Sequence, residues 1–252
     1  MRKLIEAIGW VAAGVILLLG LPIQAVLWVV TRPFDRNLVA PGKFLRFVGV
    51  MLSRTYPPWK LRVEGRWPDG RGSFVVVANH QSLLDVVLLA RLPHEMKWVI
   101  KEELVRTPWI GHMMRLSGDI AVRRGDPESG GEAVAKAKAY LGRGMNVMIF
   151  PEGTRSRDAR LLPFKKGAFR LAIDAGATVL PVVVTGTAQG FQKGGAKVGP
   201  CDAVARLLAP IPTTGLTQAD AGTLRDRVRA AFVATLPAAL VAPAPAEPAE
   251  EG

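Results

Sequence analysis

Two residues that can work together as an acid–base pair lie five positions apart in residues 79–85 (NHQSLLD), namely His80 and Asp85. Within one helix this offset would place them about 140° apart, on different faces. Across a turn from a strand to a helix, the chain can bring the imidazole back to the carboxylate. An Asp that accepts a hydrogen bond from one imidazole nitrogen fixes the tautomer and leaves the other nitrogen to take a proton. The pair therefore predicts a general base and the carboxylate that orients it.

The same stretch also has a purely structural interpretation. Ser82 followed three residues later by Asp85 is a capping box, in which Ser82 begins a helix and Asp85 only closes its first turn. This interpretation stays open beside the catalytic one. Ser82 as a covalent nucleophile is disfavoured, because the chain has no GxSxG elbow.

A second cluster of polar residues lies in residues 150–156 (FPEGTRS), directly after another apolar run. Gly153 allows a backbone N–H to approach a ligand closely, Thr154 adds a hydroxyl donor, and Arg155 offers a planar fork that suits a phosphate. Farther along, residues 164–167 (FKKG) begin a predicted helix, whose N-terminal amides also favour an anion. The stretch predicts a phosphate site, and a solvated turn with cations is the alternative when it is taken alone.

Composition limits the classes of protein that can carry these motifs. The chain has 252 residues, 49% of them hydrophobic, which is sufficient for a packed core and excludes a disordered chain. The single cysteine, Cys201, excludes a disulfide framework and is interpreted as a buried small residue. His94 and His112 have no metal-ligand spacing with His80, so no metal centre is expected. Neither GxGxxG nor GxxxxGK[ST] occurs, so nucleotide binding has no support.

The formal net charge of +12 and the apolar residues are distributed unevenly. Residues 1–62 carry nine basic and two acidic residues, and residues 63–236 carry 24 and 16. Residues 8–30 form an apolar run in which Gln24 is the only strongly polar residue, and about 20 apolar residues are enough to cross a bilayer. Basic residues beside an apolar anchor are attracted to anionic lipid, so a membrane is the expected partner. No basic stripe is interleaved with aromatic residues, and nucleic acid is therefore not expected as a partner.

The apolar run is compatible with more than one kind of anchor. A cleaved signal peptide is disfavoured, because the run is long and no small-x-small cleavage site follows it. A single spanning helix would be kinked by Pro22. Alternatively, residues 4–21 form the first helix of a hairpin, and residues 24–30 or the amphipathic residues 43–56 form the second. The cations that follow the run favour the cytoplasmic side for the rest of the chain.

Beyond the anchor, short apolar runs alternate with helical patterns, which predicts an α/β fold with a mixed, largely parallel sheet flanked by helices. The predicted organisation is a membrane anchor at 1–60, a catalytic domain at 61–236 and a disordered tail rich in Ala, Pro and Glu at 237–252. The predicted strands are residues 73–78, 96–101, 119–123, 146–150, 179–185 and 203–208. The predicted helices are residues 83–92, 108–116, 128–142, 166–175 and 218–236.

In this order and at this spacing, the motifs resemble those of the 1-acyl-sn-glycerol-3-phosphate acyltransferase family, over roughly residues 60–215 and in the general character of the anchor. The HxxxxD motif of that family matches His80 to Asp85. Its FPEGTRS motif matches residues 150–156 letter for letter, and its VPVxI-like motif matches loosely around residues 180–182.

A further motif of the family, GxIFxxR, matches Gly118, Ile120 and Arg124 with two departures. Ala121 stands where the family usually has an aromatic residue or Pro, and Arg123 stands where it often has Asp or Lys. Both lie in the region of acceptor recognition, so they affect the choice of acceptor more than the chemistry.

The resemblance implies a one-step transfer of a fatty acyl group to the sn-2 hydroxyl of 1-acyl-glycerol-3-phosphate, which gives phosphatidic acid. The donor would be a thioester of coenzyme A or acyl carrier protein, the acceptor would come from the membrane, and no cofactor is implied. His80 would be the general base and Asp85 its orienting partner. The implied substrate-binding residues are Arg124, Glu152, Gly153, Thr154, Arg155 and Lys166.

Three other functions stay open from the sequence. The first is acyl transfer to a different lysolipid, such as a lyso-amino-lipid or another lysophospholipid. The second is a lysophospholipid hydrolase, in which the same base would activate water. The third is a non-catalytic lipid-binding membrane protein, which would leave the two motifs unexplained.

Overall fold

The computed structural model describes residues 2–69, 72–191 and 198–241. Two long helices precede the sheet, α1 (Arg2–Thr31) and α2 (Val39–Arg54). The strands are β1 (Trp59–Glu64), β2 (Phe74–Ala78), β3 (Met96–Lys101), β4 (Ile120–Val122), β5 (Asn146–Ile149), β6 (Thr178–Thr185) and β7 (Cys201–Leu207). The remaining helices are α3 (Leu84–Leu89), α4 (Glu102–Val105), α5 (Ile110–Leu116), α6 (Pro127–Gly142), α7 (Gly167–Asp174), α8 (Thr187–Gly190) and α9 (Ala221–Thr235). Two 3-10 turns, Gln218–Asp220 and Ala238–Leu240, flank α9.

The strands form one sheet in the order β1-β7-β6-β2-β5-β3-β4. Every neighbouring pair is parallel except β6 and β7. Strand β2 is buried at all five positions, because α6, α7 and α9 pack on one face of the sheet and α3 packs on the other. A strand covered on both faces needs a continuous apolar sequence rather than an alternating one. The predicted α/β fold with a mixed, largely parallel sheet is confirmed.

Strand β1 is the element of the sheet that the sequence pattern does not predict. It lies at the edge of the sheet, where Lys60 and Arg62 are exposed and the other four residues are half-buried. Its start at Trp59 also means that two residues assigned to the anchor belong to the sheet. The six predicted strands form within two residues of their predicted ends. The helix predicted at residues 83–92 is shorter in the structure, where α3 spans Leu84–Leu89.

Helices α1 and α2 form an antiparallel hairpin. The start of α1 packs against the end of α2, since a Cβ on Gly9 would lie 2.5 Å from the Thr55 carbonyl oxygen. Farther along α1, Gly20 lies against Val48 of α2. The second helix is therefore close to the predicted residues 43–56. The alternative with residues 24–30 as a separate second helix is wrong, because those residues belong to α1.

Helix α1 continues through Pro22 and does not end at residue 21. Proline removes one backbone hydrogen bond from a helix and crowds the preceding turn. Contacts on both sides of Pro22 offset this cost. Gly20 packs on Met113, and the buried Gln24 amide nitrogen lies within hydrogen-bond distance of the carbonyl oxygens of Pro41 (2.9 Å) and Met113 (3.1 Å).

The hairpin is joined to the sheet by buried polar contacts. Arg46 of α2 forms an ion pair of 2.7 Å with the buried Asp119, which precedes β4. Lys97 of β3 is fully buried and donates hydrogen bonds of 2.8 Å to the carbonyl oxygens of Leu38 and Ser117. Because buried charges are costly unless they are paired and hydrogen-bonded, these contacts fix the hairpin on one side of the α/β domain.

The C-terminal end of the described chain packs on the domain. Helix α9 buries Leu224, Val228 and Phe232, and the 3-10 turn Ala238–Leu240 follows it. Val241 then pairs with Leu161 as an isolated bridge. Residues 237–241, which the prediction placed in a disordered tail, are therefore ordered, and residues 242–252 lie outside the described residues.

Candidate active site

His80 and Asp85 meet in the turn that joins β2 to α3. The chain folds back as predicted, and the Nδ1 atom of His80 lies 2.7 Å from the Oδ2 atom of Asp85. The same oxygen accepts the backbone N–H groups of Gln81 (2.7 Å) and Ser82 (2.8 Å). The other oxygen of Asp85 accepts the hydroxyl of Thr187. The geometry fits the orienting role predicted for Asp85, which stays a prediction, and the same carboxylate also closes the turn before α3.

The His80 ring is fixed from a second direction. It stacks on the ring of Phe150, with centroids 3.9 Å apart and planes inclined by 12°. The His80 side chain is 13% exposed and lies on the wall of a cavity. Within the described residues, only its Nδ1 atom has a hydrogen-bond partner. The arrangement leaves Nε2 as the nitrogen that can accept a proton from a bound molecule.

The two sequence motifs are connected directly through backbone hydrogen bonds. The His80 N–H donates to Oε1 of Glu152 (2.9 Å), and the Ser156 N–H donates to the His80 carbonyl oxygen (2.8 Å). Oε2 of Glu152 accepts the N–H of Leu162 at 3.3 Å. Burial raises the pKa of Glu152 to about 8. The described contacts of this carboxyl group are with the backbone, and Glu152 does not line the cavity.

Gly153 and Arg124 of the predicted binding set lie on the cavity wall. Gly153 has a φ of +69°, which a residue with a side chain rarely adopts, and it lies beside the Lys165 side chain. Arg124 is exposed and makes no ion pair within the described part of the chain. The neighbouring Arg123 pairs instead with Glu102 at 2.7 Å.

The other predicted binding residues lie outside this wall. Thr154 is exposed and Arg155 is half-buried, and both are on the loop that follows β5. Lys166 points toward α9, where a Cβ on Gly222 would lie 3.8 Å from its Nζ atom. Its neighbour Lys165 lines the cavity. The sequence marks this pair of lysines but does not show which one faces the cavity, because that depends on where α7 begins.

The cavity has a volume of about 630 Å³, which is in the range of small-molecule sites. The lining is mainly apolar, and His80, Arg124 and Lys165 are among its polar residues. A large part of the apolar wall comes from four helices, and α4, α5 and strands β3 to β5 add further apolar residues. The four helices contribute Leu45, Val48, Gly49 and Leu52 of α2, Val86, Val87 and Ala90 of α3, Ala133, Val134 and Ala137 of α6, and Ala168 and Leu171 of α7. Such a cavity fits a ligand that is mostly hydrocarbon and also carries a polar group.

Two other residues considered from the sequence lie outside this cavity. Cys201 is buried, as predicted, and burial raises the pKa of its thiol to about 11. His94 is exposed and packs on Trp67, with ring centroids 4.8 Å apart. No group of three or more His, Cys, Asp or Glu side chains that could hold a metal ion occurs among the described residues.

The fold and the dyad define a class of protein. Residues 60–185, half of the chain, match the family model described as Acyltransferase. The chain therefore belongs to the acyltransferase family.

Within this family, the chain is similar to proteins named 1-acyl-sn-glycerol-3-phosphate acyltransferase. It is 36% identical to the chloroplastic protein LPAT1 of Arabidopsis thaliana over 168 residues, which are 64% of this chain and 47% of that protein. It is 33% identical to the human alpha protein over 194 residues, which are 73% of this chain and 67% of that protein. The chain thus spans about half the length of the plant relative and two thirds of the human one.

The fold is also similar to a solved structure. The crystal structure of the 1-acyl-sn-glycerophosphate (LPA) acyltransferase PlsC from Thermotoga maritima superposes with a TM-score of 0.77 at 26% sequence identity. The similarity covers 93% of this chain and 96% of that chain. It therefore includes the helical hairpin as well as the sheet.

Proposed function

We propose that this protein transfers a fatty acyl group from a thioester to the sn-2 hydroxyl of 1-acyl-glycerol-3-phosphate and so produces phosphatidic acid. The observation that carries the proposal is that His80, held by Asp85, lies on the wall of a mainly apolar cavity that also carries cations. The names of the relatives support this acceptor. The donor is a thioester of coenzyme A or of acyl carrier protein.

The mechanism follows from which nitrogen of His80 is occupied. Asp85 accepts the Nδ1–H, so Nε2 takes the proton from the acceptor hydroxyl. The resulting oxygen attacks the thioester carbonyl carbon, the carbon–sulfur bond breaks, and the thiolate takes the proton from the imidazolium to leave as a free thiol. Asp85 stabilises the imidazolium between these two proton transfers.

A covalent acyl-enzyme on Ser82 is not part of this mechanism. The Ser82 side chain is buried, donates its hydroxyl to the Phe191 carbonyl oxygen (2.7 Å) and accepts the Leu84 N–H (3.2 Å). Its oxygen is thus engaged in closing the turn. Direct attack by the acceptor hydroxyl needs only the base that the site provides.

The phosphate of the acceptor is assigned to Arg124 and Lys165, the two cations on the cavity wall without an ion pair in the described part of the chain. Arg155 and Thr154, on the loop that follows β5, are assigned to bind the same phosphate from the side of that loop. Gly153 stays assigned to the binding site, because a side chain at this position would crowd Lys165. Glu152 and Lys166 are not assigned to acceptor binding. Glu152 instead accepts backbone N–H groups of the His80 turn and of Leu162, and Lys166 lies beside α9.

The membrane supplies the acceptor, and α1 supplies the attachment. The segment Ala7–Thr31 is long and apolar enough to cross a membrane, and its outward face exposes apolar side chains such as Val11, Val15 and Val26. Since α2 packs along the other face of α1, we assign the hairpin to the bilayer as a unit, with the catalytic domain on the cytoplasmic side.

The test uses membranes from cells that express the protein, a labelled acyl donor, and a panel of acceptors. The panel contains 1-acyl-glycerol-3-phosphate, lysophosphatidylcholine and monoacylglycerol. We expect label in phosphatidic acid, none in the His80→Ala variant, and unchanged transfer in the control variant His94→Ala. Label in free fatty acid would identify a hydrolase, and transfer to monoacylglycerol would overturn the phosphate site.

A further inference from the structure

Strand β6, which carries residues 180–182, has no role in the chemistry described so far. The strand runs to Thr185, and Gly186 turns the chain directly into α8. Gly186 has a φ of +82°, and a Cβ there would lie 2.1 Å from the Asp202 carbonyl oxygen. Only glycine fits this turn. The turn sets the position of the next residue, Thr187.

The end of β6 is fixed to the end of β2 by a side-chain amide. Asn79 donates from Nδ2 to the Val184 carbonyl oxygen (2.8 Å) and accepts the Val184 N–H at its Oδ1 atom (2.7 Å). Asn79 is buried and immediately precedes His80. The two hydrogen bonds therefore hold the segment with Thr187 at a fixed distance from the turn that carries the dyad.

Thr187 is fully buried, and its Oγ1 atom is hydrogen-bonded to Oδ1 of Asp85. The same Oγ1 atom lies 3.4 Å from Oε1 of Gln81, and the Gln81 amide nitrogen donates to the Ala159 carbonyl oxygen. Because a hydroxyl has one hydrogen and both neighbours are acceptors, the closer carboxylate takes it. Asp85 is thereby held at both oxygens, by the turn and His80 at Oδ2 and by Thr187 at Oδ1.

We propose that Thr187 is a positioning residue, which fixes the plane of the Asp85 carboxylate and through it the orientation of the His80 imidazole. This inference rests on the proposed role of His80 as the base. Without the hydroxyl, Oδ1 of Asp85 would be a buried acceptor without a partner, and the carboxylate would rotate toward another donor. The imidazole would then be aligned less often for proton transfer. Thr187 does not line the cavity, so substrate binding should not depend on it.

The test compares Thr187→Val, which removes the hydroxyl at nearly constant shape, with Thr187→Ser, which keeps it. We expect kcat to fall about tenfold in the Val variant, the equivalent of one lost hydrogen bond to a charged group. The KM for donor and acceptor should stay within twofold of the wild type, and the Ser variant should recover most of kcat. If Thr187→Val does not fold, Thr187→Ala against Thr187→Ser makes the same comparison of side chains with and without a hydroxyl.

Thr213→Val is the matched control, since Thr213 is also buried and donates to a backbone carbonyl, that of Ala177, on another part of the domain. It should lower the melting temperature without lowering kcat. In the His80→Ala background, Thr187→Val should cause no further loss of rate, because Thr187 acts through His80.

Several outcomes would overturn the inference: a folded Thr187→Val protein with wild-type kcat, a Ser variant as slow as the Val variant, or an equal loss in Thr213→Val. Failure of the proposed function would look different. In that case the wild-type protein itself would show no acyl transfer that depends on His80.

Discussion

The dyad and the cation-bearing wall of the same cavity are built in opposite ways. Asp85 is fully buried and both of its oxygens are occupied by donors, while the His80 ring is held by Asp85 and by Phe150. Arg124 and Lys165 are exposed, and neither forms an ion pair within the described residues.

Under the proposed function, this difference separates the residues of the chemical step from those that bind the phosphate. A general base must be oriented before the substrate arrives, so its partners belong to the protein. A cation that binds a phosphate should have no carboxylate to give up, because a salt bridge would have to be broken first. Arg123 illustrates the alternative, since Glu102 and Asp126 both neutralise it. Variants of the dyad should therefore change kcat, and variants of the wall should change KM.

The largest expected effect is that of His80→Ala. Loss of a general base typically reduces the rate by 10²–10⁴-fold. The side chain makes one side-chain hydrogen bond and one stacking contact, so the protein should still fold. Turnover of the labelled donor and the melting temperature, both measured in detergent micelles, test the prediction. A folded variant with more than a tenth of the wild-type rate would remove His80 from the mechanism.

Asp85→Asn should reduce kcat nearly as much and should also destabilise the protein. The amide offers one oxygen in place of two. If its NH₂ group faces the turn, the backbone N–H groups of Gln81 and Ser82 lose their acceptor; if it faces Thr187, that hydroxyl must accept and turn its own hydrogen toward the more distant Gln81 side chain. A buried polar group without a partner costs about 1–3 kcal/mol. Chemical denaturation measures the loss. If stability were unchanged while kcat fell, the carboxylate would orient His80 without closing the turn.

Among the cations of the cavity wall, Arg124→Ala and Lys165→Ala should each raise the KM for the acceptor about tenfold, the equivalent of one charge-assisted hydrogen bond, with kcat nearly unchanged. Arg123→Ala and Lys166→Ala are the matched controls, because they remove the same charges next to these positions but not from the wall. Initial rates against acceptor concentration at two salt concentrations give the answer. Equal effects of the neighbouring residues would place the phosphate elsewhere.

The sequence predicts the dyad better than the wall, for a physical reason. The four residues between His80 and Asp85, across one turn, leave few geometries, and the observed one closes that turn. The strands are predicted well because those buried on both faces must be continuously apolar. Edge strand β1, with exposed Lys60 and Arg62, lacks that signal.

Which side chains face the cavity wall is decided by contacts between segments that are distant in sequence. A local sequence pattern carries no information about such contacts. Lys165 faces the cavity and Lys166 lies toward α9, and which of the two does so depends on where α7 begins. Thr187 reaches Asp85 across 102 positions of sequence. Glu152 turns toward the His80 backbone, 72 positions away, although its motif suggests a ligand.

The smallest expected effect is that of Glu152 on the pH dependence of stability. It tests whether the loop that holds the His80 backbone excludes water. In the folded protein, burial raises its pKa from the ordinary 4.5 to about 8. Between these two values the folded state binds more protons than the unfolded state, so the free energy of unfolding should fall as pH rises through this range. The slope contributed by this group can approach about 1.4 kcal/mol per pH unit. Glu152→Gln, which cannot ionise, should lose this contribution.

The measurement is the free energy of unfolding at pH 5.5, 7.0 and 8.5, for the wild type, Glu152→Gln and the control Glu103→Gln. Glu103 is exposed, and a hydrogen bond from Lys101 lowers its pKa, so its substitution should leave the pH dependence unchanged across this range. Subtracting each variant from the wild type removes the contributions of all other groups. A Glu152→Gln protein with the pH dependence of the wild type would mean that this carboxyl is already ionised. The loop that holds the His80 backbone would then be more open to water than the buried dyad beside it.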